Sequence, residues 1–351
     1  MSKSIPNDAI CSCGLKSALK GYLTAHLGQT AFYGTVETLP VGPYARPLWL
    51  GALFAKPAKS ISKRCNHHLA LELLAQVALG FTKGFWRTAM PFTLATWNIN
   101  SVRLREGLVA RLMAAEQPDI LCLQECKSPV ENIPVDQFRA LGYRYMVARG
   151  QKGYNGVAIL SKLPIMDAGD KDFAQMGHAR HVAAQLESGV TIHNCYVPAG
   201  GDIPDRAQNE KFGQKLDFLN DMRDWFRWEK PSRAILVGDL NVAPRDDDVW
   251  DHKALLKIVS HTPIEVEHFG AVMDAGDWQD VTRNDISTGK LYSWWSYRAP
   301  DWSGADKGRR LDHIWATKDI AKAAHGSRIL RDVRGWEQPS DHVPVFATFD
   351  L

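Results

Sequence analysis

From residue 92 onward the chain repeats one arrangement: a short apolar run, often β-branched, that stops on a polar side chain. Ile235, Leu236 and Val237 lead through Gly238 into Asp239 and Asn241. A run that is apolar at every position marks a strand buried on both faces. Asp239 and Asn241 stand two residues apart, which on a strand directs both side chains to one face. The same arrangement predicts strands over residues 92–97, ending at Asn98, and 119–123, ending at Gln124 and Glu125. Further strands are expected over residues 154–160, 190–197, 292–297, 311–316 and 343–349. The second of these carries Tyr196 near its end.

Helical spacing fills the gaps between these runs. Leu104, Leu108 and Leu112 fall at i, i+4 and i+8 behind Ser101, a residue suited to cap a helix. Phe212, Leu216, Leu219 and Met222 give one apolar side to a helix over residues 207–228. Thr262-Pro263-Ile264-Glu265 has the form of a capping box with proline at the first helical position. Strands and helices interleave without a break, so residues 90–351 read as one domain. Two sheets packed face to face with helices outside would bring the polar strand ends to one rim.

Charge separates this domain from what precedes it. Residues 1–90 hold ten Lys and Arg against three Asp and Glu, which leaves 32 against 36 for residues 91–351. Residues 1–89 show no sustained period apart from a helix-like patch over 69–79. They are expected to be a basic, disordered extension or the product of an upstream start, with Met90 as the true one. A transit peptide lacks its Arg-rich amphipathic helix here. Cys11, Cys13, Cys65, His67 and His68 match no standard zinc spacing. The six cysteines show no paired spacing, which suits a reducing, cytoplasmic setting. The longest apolar candidate, residues 69–81, is broken by Glu72 and Gln76, so no membrane span is expected.

The polar residues at strand exits are Asn98, Glu125, Tyr196, Asp239, Asn241, Asp312, Asp341 and His342. Any one of them alone would be a solvated loop residue or a cap. Together, four carboxylates, two amides, a phenol and an imidazole make an oxygen-rich site that suits Mg²⁺ or Mn²⁺ rather than zinc. Such a set fits attack of water on a phosphate, where charge must be neutralised and a nucleophile oriented.

Six motifs, in this order, resemble the exonuclease III class of AP endonucleases, within the endonuclease/exonuclease/phosphatase superfamily. They are Leu94-Ala95-Thr96-Trp97-Asn98-Ile99-Asn100, Leu123-Gln124-Glu125-Cys126-Lys127, Tyr154-Asn155-Gly156-Val157-Ala158-Ile159, Gly238-Asp239-Leu240-Asn241, Arg310-Leu311-Asp312-His313-Ile314 and Ser340-Asp341-His342-Val343-Pro344-Val345. The resemblance implies an α/β (α+β) fold, a four-layered αββα sandwich of two mostly antiparallel sheets flanked by helices. It implies Mg²⁺, with Mn²⁺ able to substitute, held by Glu125 with Asn98 and Asp341 near. Asp239 would orient or deprotonate the attacking water, Asn241 would hold it, and Tyr196 would contact the scissile phosphate. His342 would bind a phosphate oxygen, its tautomer fixed by Asp312.

For a partner, the resemblance implies double-stranded DNA with abasic sites or blocked 3′ ends, met by a monomer away from membranes. The implied activities are incision 5′ to the abasic site, 3′→5′ exonuclease and 3′-end cleaning. Trp294, Trp295 and Tyr297, with Trp302, would wall a pocket for a flipped-out sugar. Lys152 and Tyr154, in the Arg149–Tyr154 loop, and Arg309, in Lys307-Gly308-Arg309-Arg310, would grip the backbone. Ala199 stands where relatives often place Asn or Gln. The alternative reading is a phosphodiesterase or phosphatase of the same superfamily acting on inositol or lipid phosphates.

Overall fold

A computed structural model describes residues 91–299 and 301–351. The cysteines and histidines before residue 69, the helix-like patch at 69–79 and the whole basic extension lie outside the described residues. Twelve strands form two six-stranded sheets. The first has the order β11-β12-β1-β2-β4-β3, and the second β5-β6-β7-β8-β10-β9. In the first sheet, β1 is Pro91–Asn98, β2 Ile120–Gln124, β3 Tyr145–Arg149, β4 Val157–Ser161, β11 Ala324–Ile329 and β12 Val345–Asp350. In the second, β5 is Ile165–Gly169, β6 His181–Leu186, β7 Thr191–Tyr196, β8 Ala234–Asp239, β9 Trp278–Asp280 and β10 Asp312–Thr317. Each sheet holds one parallel pair, β1 with β2 and β7 with β8, among antiparallel neighbours.

Alternation along these strands builds the layers. Leu94, Ile120, Cys122 and Ile159 of the first sheet meet Ile192, Ile235, Val237 and Ile314 of the second in a shared apolar layer. The opposite parity, Ala95, Trp97, Leu121 and Leu160, packs outward beneath α1 (Glu106–Glu116) and α2 (Val135–Ala140). Leu236 and Trp315 pack outward beneath α3 (Glu210–Glu229) and, past the one-turn α4 (His252–Leu255), α5 (Pro263–Ala275). The expected αββα sandwich of mostly antiparallel sheets is therefore the observed architecture. Among the described residues, no helix is long and apolar enough to cross a membrane.

Local expectations met different fates. The capping box at Thr262 forms, its hydroxyl taking the Glu265 amide while the Glu265 carboxylate returns to the Thr262 amide. Ser101 caps nothing: it sits at φ +86°, and its amide binds the Glu125 carbonyl at 2.7 Å. The helix consequently starts only at Glu106 and buries Val109, Leu112 and Met113, leaving Leu104 exposed. The strand expected from residue 154 begins at Val157, because Asn155 and Gly156 turn with positive φ. Residues 292–297 form isolated bridges from Trp294 to Arg309 and His342 rather than a strand.

Candidate active site

The inter-sheet face of each central strand changes character as it approaches one edge of the sandwich. Past the apolar layer come Thr96, Gln124 and Asn194, all fully buried. The Gln124 amide donates to Thr96 Oγ1 at 2.9 Å and Asn194 Oδ1 at 2.7 Å, while Asn194 Nδ2 donates to the carbonyls of Leu123 and Ala158. This polar layer ties the sheets together, since a buried amide is stable only when its hydrogen bonds are made. It was missed from sequence: Thr96 and Asn194 lie inside runs that read as strand, and Gln124, at a strand exit, was passed over for Glu125 beside it.

One step further along the same parity stand Asn98, Tyr196, Asp239 and Asp312, with Glu125 just beyond β2. Asn98 Nδ2 donates to Glu125 Oε1 and to Asp239 Oδ2, both at 2.9 Å, and so joins the two sheets. The Tyr196 hydroxyl donates to Glu125 Oε1 at 2.8 Å. Asn241 Nδ2 donates to Asp239 Oδ2 at 3.0 Å and to the Val197 carbonyl at 2.9 Å. His342 Nδ1 lies 2.8 Å from Asp312 Oδ2, and its Nε2 lies 3.6 Å from Asp239 Oδ2. Asp341 Oδ2 accepts from the Trp294 indole at 3.0 Å. All eight strand-exit residues thus gather in one place.

The electrostatics follow from burial and neighbours. Burial raises Asp239 to about 7, with His342 opposing and Asp312 adding to the rise. Burial alone would push His342 down, but Asp312 and then Asp239 outweigh it and raise it to about 10, so the imidazole is charged at neutral pH. Glu125 stays below its ordinary range although burial opposes this, because Lys127, Asn98 and Tyr196 favour its charged form. Tyr196 is held well above its ordinary value by burial and by Glu125, and remains a protonated donor.

The groups open onto a cleft of about 670 Å³, lined by Glu125, Tyr196, Asp239, Asn241, Asp341 and His342 on its floor. Trp294, Tyr297, Lys307 and Arg309 stand on its walls, the Arg309 guanidinium 5.2 Å from the Trp294 ring centroid. Ala199 lines the cleft as well. Trp295 does not: it is 1% exposed and packs on Tyr292 and Trp302, because its ring takes the core side of the segment. Arg310 is fully buried between Asp248 and Asp280 and cannot reach a backbone outside. Arg149 is engaged by Asp167 and Asp170. Lys152 and Tyr154 are exposed on a rim loop whose neighbour Asn155 pairs with Lys127, and they are not part of the cleft lining.

The donor set of the cleft suits a divalent cation. Glu125 and Asp341 offer ionisable oxygens on one cleft, and Glu125 Oε2 already faces a cationic group, the Lys127 ammonium at 2.8 Å. Oxygen ligands of this kind fit a hard ion.

Residues 95–342 match the profile of the Endonuclease/Exonuclease/phosphatase family. The chain is similar to exodeoxyribonuclease III of Haemophilus influenzae, at 30% identity over 267 residues, covering 72% of this chain and 98% of that protein. An AP endonuclease structure from Archaeoglobus fulgidus aligns with a TM-score of 0.69 at 31% identity, covering 74% of this chain and 100% of that one. A 3′ phosphatase from Neisseria, solved with a product DNA hairpin, aligns at 0.68 and 31% with the same coverage.

Proposed function

The chain belongs to the endonuclease/exonuclease/phosphatase family, and from that premise we propose that it is a metal-dependent DNA-repair nuclease which cuts 5′ to abasic sites in duplex DNA and trims or cleans 3′ ends. The observation that carries this reading is the contiguous set of Asp239, Asn241, His342 and, through Asn98, Glu125, under a cleft walled by two aromatic and two basic residues. The DNA-acting names of the similar proteins support it.

In this reading Asp239 accepts the proton of the attacking water, for which a carboxyl poised near neutrality is suited. Asn241, already bonded to Asp239, positions that water. The charged His342 donates to a phosphate oxygen and steadies the charge that builds there. Asp312 holds the imidazole through Nδ1, leaving Nε2 turned toward Asp239 and the cleft. Tyr196 offers its hydroxyl to the scissile phosphate. A Mg²⁺-type ion held by Glu125, with Asp341 and Asn98 beside it, would supply further positive charge at the phosphate. Trp294 and Tyr297 receive the extruded sugar, Arg309 and Lys307 hold phosphates, and Lys152 and Tyr154 meet the backbone on the rim. Residues 90–351 carry this activity by themselves.

The test sets a duplex with one abasic-site analogue beside an inositol polyphosphate, both with Mg²⁺. Cleavage of the duplex alone is expected. Phosphate release from the inositol substrate with the duplex left intact would overturn the reading.

A further inference from the structure

Behind the wall that carries Arg309, three loop segments converge on a second cluster. Asp246 lies in the turn after β8, His252 opens α4, and His261 precedes α5. His252 Nδ1 lies 2.9 Å from His261 Nε2 and 3.0 Å from Asp246 Oδ1. One ligand atom from each of the three residues falls within 4.8 Å of the others. We propose that Asp246, His252 and His261 form a second metal centre, for a zinc-class divalent ion, separate from the carboxylate site of the cleft.

The contact of His261 with the backbone fixes which of its nitrogens is free. Its Nδ1 lies 2.6 Å from the Ala243 carbonyl, an oxygen that can only accept, so Nδ1 carries the proton and Nε2 presents a lone pair. That is how a ligating imidazole is held, with its far N–H on a backbone carbonyl fixing ring and tautomer. His261 is 2% exposed, so its ring is fixed before any ion arrives. His252 Nδ1 can carry only one proton and faces two acceptors, His261 Nε2 and Asp246 Oδ1. An ion in place of that proton satisfies both at once.

The dimensions fit. Zinc binds imidazole nitrogen at roughly 2.0–2.1 Å, which sets tetrahedral donors about 3.3 Å apart. The two spacings from His252 Nδ1 need to open by a few tenths of an ångström, and Asp246 Oδ1 and His261 Nε2, within 4.8 Å of each other, need to settle to the same separation. Asp246 and His252 can supply this, their side chains being 76% and 37% exposed. Two imidazoles and a carboxylate favour a late first-row ion over Mg²⁺. Such an ion would cross-link the loops that hold Arg309, whose guanidinium donates to the Val259 carbonyl and Ser260 Oγ.

The full chain, stripped of metal and dialysed against Zn²⁺ in excess Mg²⁺, is analysed for zinc per chain. Wild type should hold one more zinc than either His252→Gln or Asp246→Asn, two exposed-side changes that spare buried His261. Glu125→Gln and Cys65→Ser should keep that zinc. Co²⁺ in its place should give visible ligand-field bands without thiolate charge transfer, lost in His252→Gln. Equal zinc in wild type and both cluster variants, or loss of the zinc in Glu125→Gln, would overturn the proposal.

Discussion

Lys215 is a lysine sealed inside the domain, and its removal should be costly twice over. It lies in α3 with no exposure, and its ammonium donates to the Glu265 carboxylate, the Asn241 carbonyl at 2.7 Å and the Ala199 carbonyl at 3.4 Å. Burial pushes its pKa down while Glu265 opposes. Lys215→Met strands the Glu265 charge among the Ser260 and Thr262 donors that it also accepts from. Removing one partner of a buried pair costs about 3–5 kcal/mol. In a domain of this size that lowers the melting midpoint by roughly 10 °C. Glutamine can still complete a capping box, so Lys215→Met with Glu265→Gln should recover most of the loss. Urea unfolding followed by circular dichroism measures both variants. A single variant within about 1 kcal/mol of wild type, or a double variant less stable than the single, would refute the argument. Because the ammonium also pins the Asn241 carbonyl, the single variant should lose cleavage rate beyond what its unfolded fraction explains.

Three other outcomes follow from the same structure. Gly238 sits at φ +140° against the Cys195 carbonyl, so Gly238→Ala should cost more than about 3 kcal/mol and yield little folded protein, as expression and melting would report. Asp248 is held at about 2 by Arg310 and Arg283 although burial opposes this; Asp248→Asn should cost roughly 3–5 kcal/mol by leaving Arg283 buried without its carboxylate and Arg310 with Asp280 alone, read in the urea midpoint. Burial lowers His193 and His313 to about 4, whereas unfolded histidine titrates near 6.5. The unfolded chain therefore takes up protons first, and stability present above pH ~6.5 is lost toward pH ~4, by about 3 kcal/mol per ring; a flat urea midpoint across that window would contradict this.

What sequence revealed and what it hid divide along the sheets. The central strands β1, β2, β4, β7, β8, β10 and β12 are buried on both faces and read as apolar runs. The edge strands β3, β5, β9 and β11 were missed, and their mixed burial explains why: an edge has one neighbour and carries polar or charged residues such as Asp167 and Arg328. β6 escaped too, because His181, two alanines and Gln185 give it little pattern. The strand-exit residues were legible because carboxylates and amides have no packing reason to follow such runs. Trp295 was read as a pocket wall because nothing local announces that Tyr292 and Trp302 enclose it, just as nothing local announces that Asp248, distant in the chain, draws Arg310 inward.

Whether the cluster around Asp239 hydrolyses DNA at abasic sites is decided by incision of a duplex carrying one abasic-site analogue. Wild type and Asp239→Ala are compared with Mg²⁺ and with EDTA, and residues 90–351 are run beside the full chain. Cutting at the analogue is expected with Mg²⁺ from wild type and from residues 90–351, with loss of cutting in EDTA or in a folded Asp239→Ala. Undiminished cutting by Asp239→Ala, or an intact duplex in every lane, would contradict this.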